Sequence, residues 1–266
     1  MKAILLAAGV GSRIAENIGN IPKSLMDVGG KPLIVHTVEL LQKNGMDVVI
    51  ITGFKHRMIE EALGENQVKI YYNPFYAVTN SIGSLWYARE EFDSDEVFIA
   101  NADVFYTQEL LDNVFAAHYD NFLLCDRSRA EKGDYFFLTE NGILKKYGKQ
   151  LTRAERNAEY VGIAVLKNDW VKKFRNRLCD MIEDGEYDYW WEDALYSFVD
   201  ADGQSAGDVK MEYASQIGKR SRESAEDDIV HTVDVDGVFW SEIDTIEDYE
   251  RVVERCGFLK NSDIHS

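Results

Sequence analysis

The chain has 266 residues, of which 47 are acidic and 29 basic, giving a formal net charge of −18. Such an excess of negative charge argues against nucleic acid and anionic membrane surfaces as main partners, because clustered cations hold both. The length suits one domain of moderate size with a sizeable core. Cys125, Cys179 and Cys256 lie far apart and form neither a zinc spacing nor a disulfide framework, so free thiols in a reducing compartment are expected. No apolar stretch approaches the ~20 residues of a membrane helix, and the first residues read as a strand rather than a leader. The expectation is a cytoplasmic protein.

At the N-terminus an apolar run, Ala3 to Ala8, leads into Gly9-Val10-Gly11-Ser12-Arg13 and then to Pro22-Lys23. A buried strand feeding a glycine-rich turn, followed by two cations, can cradle phosphates: the glycines let backbone N–H groups approach, and Arg13 and Lys23 supply charge. The dinucleotide fingerprint is excluded because Ile14 stands where a third glycine is needed. The Walker pattern is excluded because Gly30-Lys31 is followed by Pro32. Pro32 then opens a helix with Leu33, Val38, Leu40 and Leu41 as its buried stripe, ended by Gly45. Asp47–Thr52 reads as a doubly covered strand, Lys55–Leu63 as a helix and Val68–Tyr72 as a third strand. This βαβαβ order predicts a parallel sheet with ligands beyond the carboxyl ends of its strands.

A polar loop, Asn73–Leu85, precedes a helix beginning near Ser81. Asn80, Ser81 and Ser84 suit either helix capping or recognition of a nucleobase edge, and the base-reading role is favoured for Asn80 and Ser84. Glu96–Ala100 is a strand that delivers Asn101-Ala102-Asp103, and a carboxylate at that strand end is a natural magnesium ligand. Thr107 caps a helix to about His118, and Phe122–Cys125 is a further strand. Tyr135–Leu138 and Ile143–Tyr147 form a hairpin around Asn141-Gly142. Its basic residues Lys145, Lys146, Lys149 and Arg153 are candidates to hold an acceptor's phosphate, and Tyr160–Leu166 is the next strand.

Asn168 caps a helix containing Trp170, Phe174 and Leu178. Three adjacent aromatics, Tyr189, Trp190 and Trp191, then stand beside the acids Asp188, Glu192 and Asp193. Aromatic faces attract a cation by ~0.5–2 kcal/mol each, and neighbouring carboxylates add to the attraction. One of the two tryptophans is expected to anchor a helix to the sheet instead. Residues 200–228 are rich in glycine, serine and charge, and periodicity does not decide between a lid, an insertion and an oligomer contact. His231–Val235 and Val238–Trp240 lead to Ser241-Glu242-Ile243-Asp244-Thr245. Thr245 and Asp248 make a capping box for a last helix to about Cys256, with a frayed end from Lys260 to Ser266.

Taken together, Ala7, Ala8, Gly9, Gly11, Ser12, Arg13, Pro22 and Lys23 fill a pattern that resembles the signature loop of the GT-A-like nucleotidyltransferases. The segments at Asn73–Leu85, Gly185–Asp193 and Glu242–Thr245 are similar to those of the phosphocholine cytidylyltransferases and the related phosphonate cytidylyltransferases. The resemblance implies an α/β fold of three layers, with a mostly parallel, Rossmann-like central sheet and a small antiparallel acceptor-binding extension. It implies one nucleotidyltransferase domain over 1–257, divided into a nucleotide half (1–128), an acceptor half (129–240) and a closing strand and helix (241–257), with a tail at 258–266. Leu6, Ala7, Ala8, Gly9, Gly11, Ser12, Arg13, Lys23, Asn80, Ser84 and Ala102 would bind the nucleotide, with Lys23 and Arg13 catalytic. Asp103 with Glu242 or Asp244 would hold Mg²⁺, while Asn101 stands where the family often has an acid. Lys149, Tyr189, Trp190, Trp191, Glu192 and Asp193 would bind the acceptor.

The implied activity is transfer of CMP from CTP to phosphocholine, giving CDP-choline and pyrophosphate. A cytidylyltransferase for 2-aminoethylphosphonate or a related phosphonate is the alternative. A sugar-1-phosphate nucleotidyltransferase or a GT-A glycosyltransferase fits less well, because three adjacent rings do not suit a sugar and Pro22-Lys23 argues against the latter. The expected partners are small molecules, with neither nucleic acid nor membrane, and a homodimer is the assembly considered.

Overall fold

The computed structural model describes residues 1–11, 19–199 and 228–263. β1 (Lys2–Ala7) is the apolar run at the N-terminus, and it lies between β2 (Asp47–Thr52) and β4 (Glu96–Asn101), parallel to both. With neighbours on each edge and helices on each face, Ala3, Ile4 and Leu5 are wholly buried, so the strand shows no alternation of polar and apolar residues. β3 (Lys69–Tyr72) completes the parallel half outside β2.

The second half of the sheet is built differently. β9 (Ala158–Lys167) runs antiparallel to β4 on one side and to β6 (Asn121–Asp126) on the other. Beyond β6 come β10 (His231–Asp234), parallel to it, and the hairpin β7 (Phe136–Glu140) and β8 (Ile143–Gly148). Among the described residues the order is β3-β2-β1-β4-β9-β6-β10-β8-β7, with β7 also pairing β9. The hairpin turns at Asn141 and Gly142, whose φ angles of 52° and 74° are those its tight turn demands.

Helices cover both faces. On one side α1 (Leu33–Lys43), α2 (His56–Leu63) and α4 (Gln108–Ala116) bury Ile34, Val38, Ile59, Leu110 and Val114 against Leu5 and Ile50. On the other, α3 (Ser81–Tyr87) and α5 (Asp169–Glu183) pack Ile82, Leu85, Phe174 and Leu178 against Ile4 and Ile99. Pro32 sits at the N-cap of α1, one residue before its first turn. Thr107 and Asn168 take the expected N-cap positions without capping bonds. Asn168 has φ 52°, and its amide instead donates to Asp120 at 2.9 Å.

Two short elements escaped the sequence reading. β5 (Val104–Tyr106) pairs antiparallel with β11 (Trp240–Glu242) in a separate two-stranded ribbon. α6 (Asp193–Tyr196) is a single turn directly after the aromatic–acid stretch. The last helix, α7 (Ile246–Asp263), opens with the expected Thr245–Asp248 box but continues past Cys256, the expected end. Among the described residues no helix is long and apolar enough to cross a membrane. The stretch at 200–227 lies outside the described residues.

Candidate active site

A cavity of about 310 Å³ opens beyond the carboxyl ends of β1 and β4. Leu6, Ala7, Ala8, Gly9, Gly11, Lys23, Asn80, Ser84 and Ala102, all expected at the nucleotide, line it. Ser12 and Arg13 lie outside the described residues. Gly11 has φ 64°, and a Cβ added there would stand 2.8 Å from Cγ of Lys23, so the loop folds directly over the lysine's stem.

The β5–β11 register brings the acids together. Glu242 pairs with Val104, and the Ile243 N–H donates to the Asp103 carbonyl at 2.9 Å. Carboxylate oxygens of Asp103, Glu242 and Asp244 consequently lie within 4.8 Å of one another. The Lys23 ammonium donates to Asp244 and, at 3.4 Å, to Asp103. Burial alone would lower the Lys23 pKa, but Asp103, Asp244 and Glu242 outweigh it and hold the amine charged, above its ordinary value. Carboxylate oxygens at this spacing are the donor set that hard divalent cations prefer, and all three acids fit such an ion.

Asn80 and Ser84 reach the cavity wall with their polar atoms already engaged. The Asn80 oxygen accepts from the Ser81 N–H at 2.8 Å, capping α3, and its amide donates to the Asp188 carbonyl at 3.2 Å. Ser84 is buried and accepts from Asn73 at 3.0 Å. The Asn80 side chain thus caps α3 and ties it to the 188 turn while lining the cavity. The turn is further fixed by the Asn80 and Ile82 N–H groups, which donate to the carbonyls of Tyr187 and Tyr189.

At the far end only part of the expected acceptor set faces the cavity. Trp190, Glu192 and Lys149 line it. Trp191 does not: it is fully buried, packs edge-on to Phe174 and donates its indole N–H to Asn101 at 2.9 Å. It is the expected anchoring tryptophan. Tyr189 turns outward with 39% exposure, and Asp193 folds back to accept from the Trp190 N–H at 2.9 Å. Neither lines the cavity, since the tight turn into α6 sends successive side chains in different directions. Of the basic patch, Lys146 and Arg153 pair with Glu155 and Glu131 away from the cavity, and Lys149 pairs with Asp134. Lys149 alone of the four reaches the cavity, with its ammonium 5.6 Å from the centre of the Trp190 ring.

The rest of this wall was missed. Tyr135, Tyr160 and Tyr196 complete a ring of aromatics with Trp190, and Asp134 and Asn101 join them. Tyr135 stands 5.6 Å from Trp190 and stacks on Tyr196 at 6.0 Å. The spacing of Glu192 and Tyr196, four residues apart on a helical turn, is a signal that could have found Tyr196. Tyr160 gave none, because β9 is buried along nearly all its length and shows no alternation. Burial pushes the Glu192 carboxyl up to about 8, despite the hydrogen bond from Asn101. Burial likewise pushes Asp193 up to about 6.

Residues 3–166 match the MobA-like NTP transferase domain. The chain is 33% identical over 153 residues to the CMP-5'-(3-aminopropyl)phosphonate synthase of Streptomyces rubellomurinus, covering 55% of this chain and 24% of that protein. It is 36% identical over 106 residues to the choline-phosphate cytidylyltransferase of Streptococcus pneumoniae, covering 40% and 46% respectively. The matches thus span from about a quarter to about half of these relatives' own length. The solved structure of the CTP:phosphocholine cytidylyltransferase of Streptococcus pneumoniae superposes with a TM-score of 0.67 at 20% identity, over 95% of this chain and 97% of that one. The inositol-1-phosphate CTP transferase of T. maritima gives 0.64 at 20% identity, over 96% and 95%. These likenesses establish a nucleotidyltransferase-like α/β fold.

Proposed function

The chain belongs to the MobA-like NTP transferase family, and from that premise we propose that it is a CTP-dependent cytidylyltransferase acting on a phosphorylated acceptor with a cationic head. Phosphocholine, giving CDP-choline and pyrophosphate, is the leading acceptor. One observation carries the reading. A single cavity runs from Lys23 and Asp103 at one end to Glu192 and the rings of Tyr135, Tyr160, Trp190 and Tyr196 at the other. Such a cavity can hold a triphosphate and an aromatic-caged cation side by side.

Asp103, Glu242 and Asp244 would hold Mg²⁺, which when bound supplies Lewis-acid polarisation and charge neutralisation at the nucleotide's phosphates. Lys23, kept charged by those acids, neutralises negative charge that develops as pyrophosphate leaves. The glycine loop adds N–H donors. An oxygen of the acceptor's phosphate attacks the α-phosphorus as the bond to the bridging oxygen breaks, and pyrophosphate departs with that electron pair. The attacking oxygen is already anionic near neutral pH, so no general base is needed and catalysis rests on positioning and electrostatics. Lys149, at the cavity's rim beside Trp190, suits the acceptor's phosphate.

A 2-aminoethylphosphonate or related phosphonate is the second reading. The similarity to the aminopropylphosphonate synthase extends over 153 residues. Glu192 can also accept hydrogen bonds from a primary ammonium, which a quaternary one cannot donate. The test is pyrophosphate release with each NTP against phosphocholine, aminoalkylphosphonates and sugar-1-phosphates. Turnover with CTP and phosphocholine is expected. Turnover with CTP and a phosphonate alone would replace the acceptor, and silence across the whole panel would overturn the reading.

A further inference from the structure

Asn101, the last residue of β4, lines the cavity two positions before Asp103. Both halves of its amide are committed. The oxygen accepts from the Trp191 indole N–H at 2.9 Å, and the nitrogen donates to Oε1 of Glu192 at 3.3 Å. The orientation has no alternative, because an indole N–H can only donate and so requires the amide oxygen. The NH₂ group is thereby aimed at Glu192. Room for it comes from Gly162 on β9, where an added Cβ would stand 3.4 Å from the Asn101 nitrogen and 3.0 Å from Val104.

Glu192 needs such a donor. Its carboxyl is buried, and the other titratable groups that act on it are Asp193 and the phenols of Tyr135, Tyr160 and Tyr196. None of these carries positive charge, so the buried carboxyl depends on hydrogen bonds, to which the Asn101 amide, a backbone N–H and the Tyr160 hydroxyl contribute. The turn bearing Glu192 is also hydrogen-bonded to the start of α3, through the Trp191 N–H and the Ser81 hydroxyl at 2.9 Å and through the carbonyls of Tyr187, Asp188 and Tyr189.

We propose that Asn101 is a positioning residue for the acceptor: its amide joins the strand end presenting Asp103 to the turn presenting Glu192, and it holds the Glu192 carboxylate toward the acceptor's cation. This rests on the functional reading above for the identity of the ligand, and on the amide geometry for the joint itself. An acid at 101 would still accept from Trp191 but, with Glu192 ionised above about pH 8, would set oxygen against oxygen there. Exchanging the pair, Asn101→Asp with Glu192→Gln, restores a donor facing an acceptor with the polarity reversed.

The experiment is a cycle of Asn101→Asp, Glu192→Gln and the double variant, read by melting without substrates at pH 9, where Glu192 is ionised, and by separate KM values for CTP and acceptor. Asn101→Asp should lower Tm by ~4 °C or more, with most of the loss recovered in the double variant. If Asn101→Asp yields no folded protein, recovery of folded protein in the double variant is the same result. Either single variant should raise the acceptor KM about 10-fold with the CTP KM within about twofold, and the double variant should keep the raised acceptor KM. An unchanged Tm, a double variant no more stable than Asn101→Asp, or CTP and acceptor KM values rising together would overturn the proposal. If the wild type turns over no acceptor, the functional reading fails while the melting cycle still decides the joint.

Discussion

At the Lys23 end of the cavity, where the nucleotide is proposed to bind, the residues come from the carboxyl ends of β1 and β4, one turn at Lys23 and the β5–β11 ribbon. At the Glu192 end, where the acceptor is proposed to bind, they come from the edge of a hairpin, the first half of β9, a loop at Lys149 and the turn into α6. The first end concentrates charge, with an ammonium among three carboxylates. The second is mostly aromatic surface around one buried acid. In the proposed function, this contrast separates the chemistry from the selectivity. Parallel strand ends and the β5–β11 ribbon hold charged groups at fixed separations, whereas the antiparallel half of the main sheet offers a wall of mostly aromatic side chains.

Substitutions can break this division. The largest effect is expected from Asp103→Ala, which should lower kcat by ~10³-fold or more, because a metal ligand supports several kcal/mol of transition-state charge stabilisation. Pyrophosphate release at saturating substrates measures it. Lys23→Ala should lower kcat by at least ~10²-fold, the usual cost of losing one such contact to developing charge. Near-normal turnover in that variant would remove Lys23 from the mechanism. At the other end, Trp190→Ala should raise the acceptor KM by ~3- to 30-fold at unchanged Tm, since one cation–π face is lost. Its neighbour should behave in the opposite way. Trp191→Ala should lower Tm through the cavity it leaves in the core, as melting would show.

The smallest effect concerns pH and the unliganded protein. Glu159, Glu192 and Asp193 are raised by burial to about 7, 8 and 6, from ordinary values of 4.5, 4.5 and 3.8. The folded state therefore keeps protons that the unfolded chain has released, and stability falls as pH rises from about 4 to 8 before levelling off. Glu91, lowered to about 2 by Lys2, Lys69 and Tyr71 against its burial, acts only on the acid side of that window. The raised pKa of Lys23 acts only above the ordinary lysine value of 10.5. Tm measured from pH 5 to 8 should decline, and a flat profile would mean that these carboxyls are solvated.

Legibility in the sequence divides along the same line. Most of the nucleotide end is written in two contiguous stretches, Leu6–Gly11 and Asn101–Asp103, because a strand end and its loop are local. Even there β5 was missed, since three apolar residues after Asp103 carry no pattern of their own, and only its pairing with β11 gathers the acids. The acceptor wall could not be read in this way. Tyr135, Tyr160 and Tyr196 meet only because β7, β9 and α6 converge. Adjacent rings at 189 to 191 have no periodicity that tells a cage from a core. Nor does a lysine's place in sequence reveal the acid that neutralises it, as Asp134 does for Lys149.

The glycine loop carries one more consequence. The space that Gly11 leaves is taken by the stem of Lys23, whose Cγ would lie 2.8 Å from a methyl group at that position. Gly11 thus serves as a mould for a side chain at the far end of the same loop. A single methyl group there would act as a charge deletion at a distance, displacing the ammonium while leaving every ionisable residue in the chain untouched.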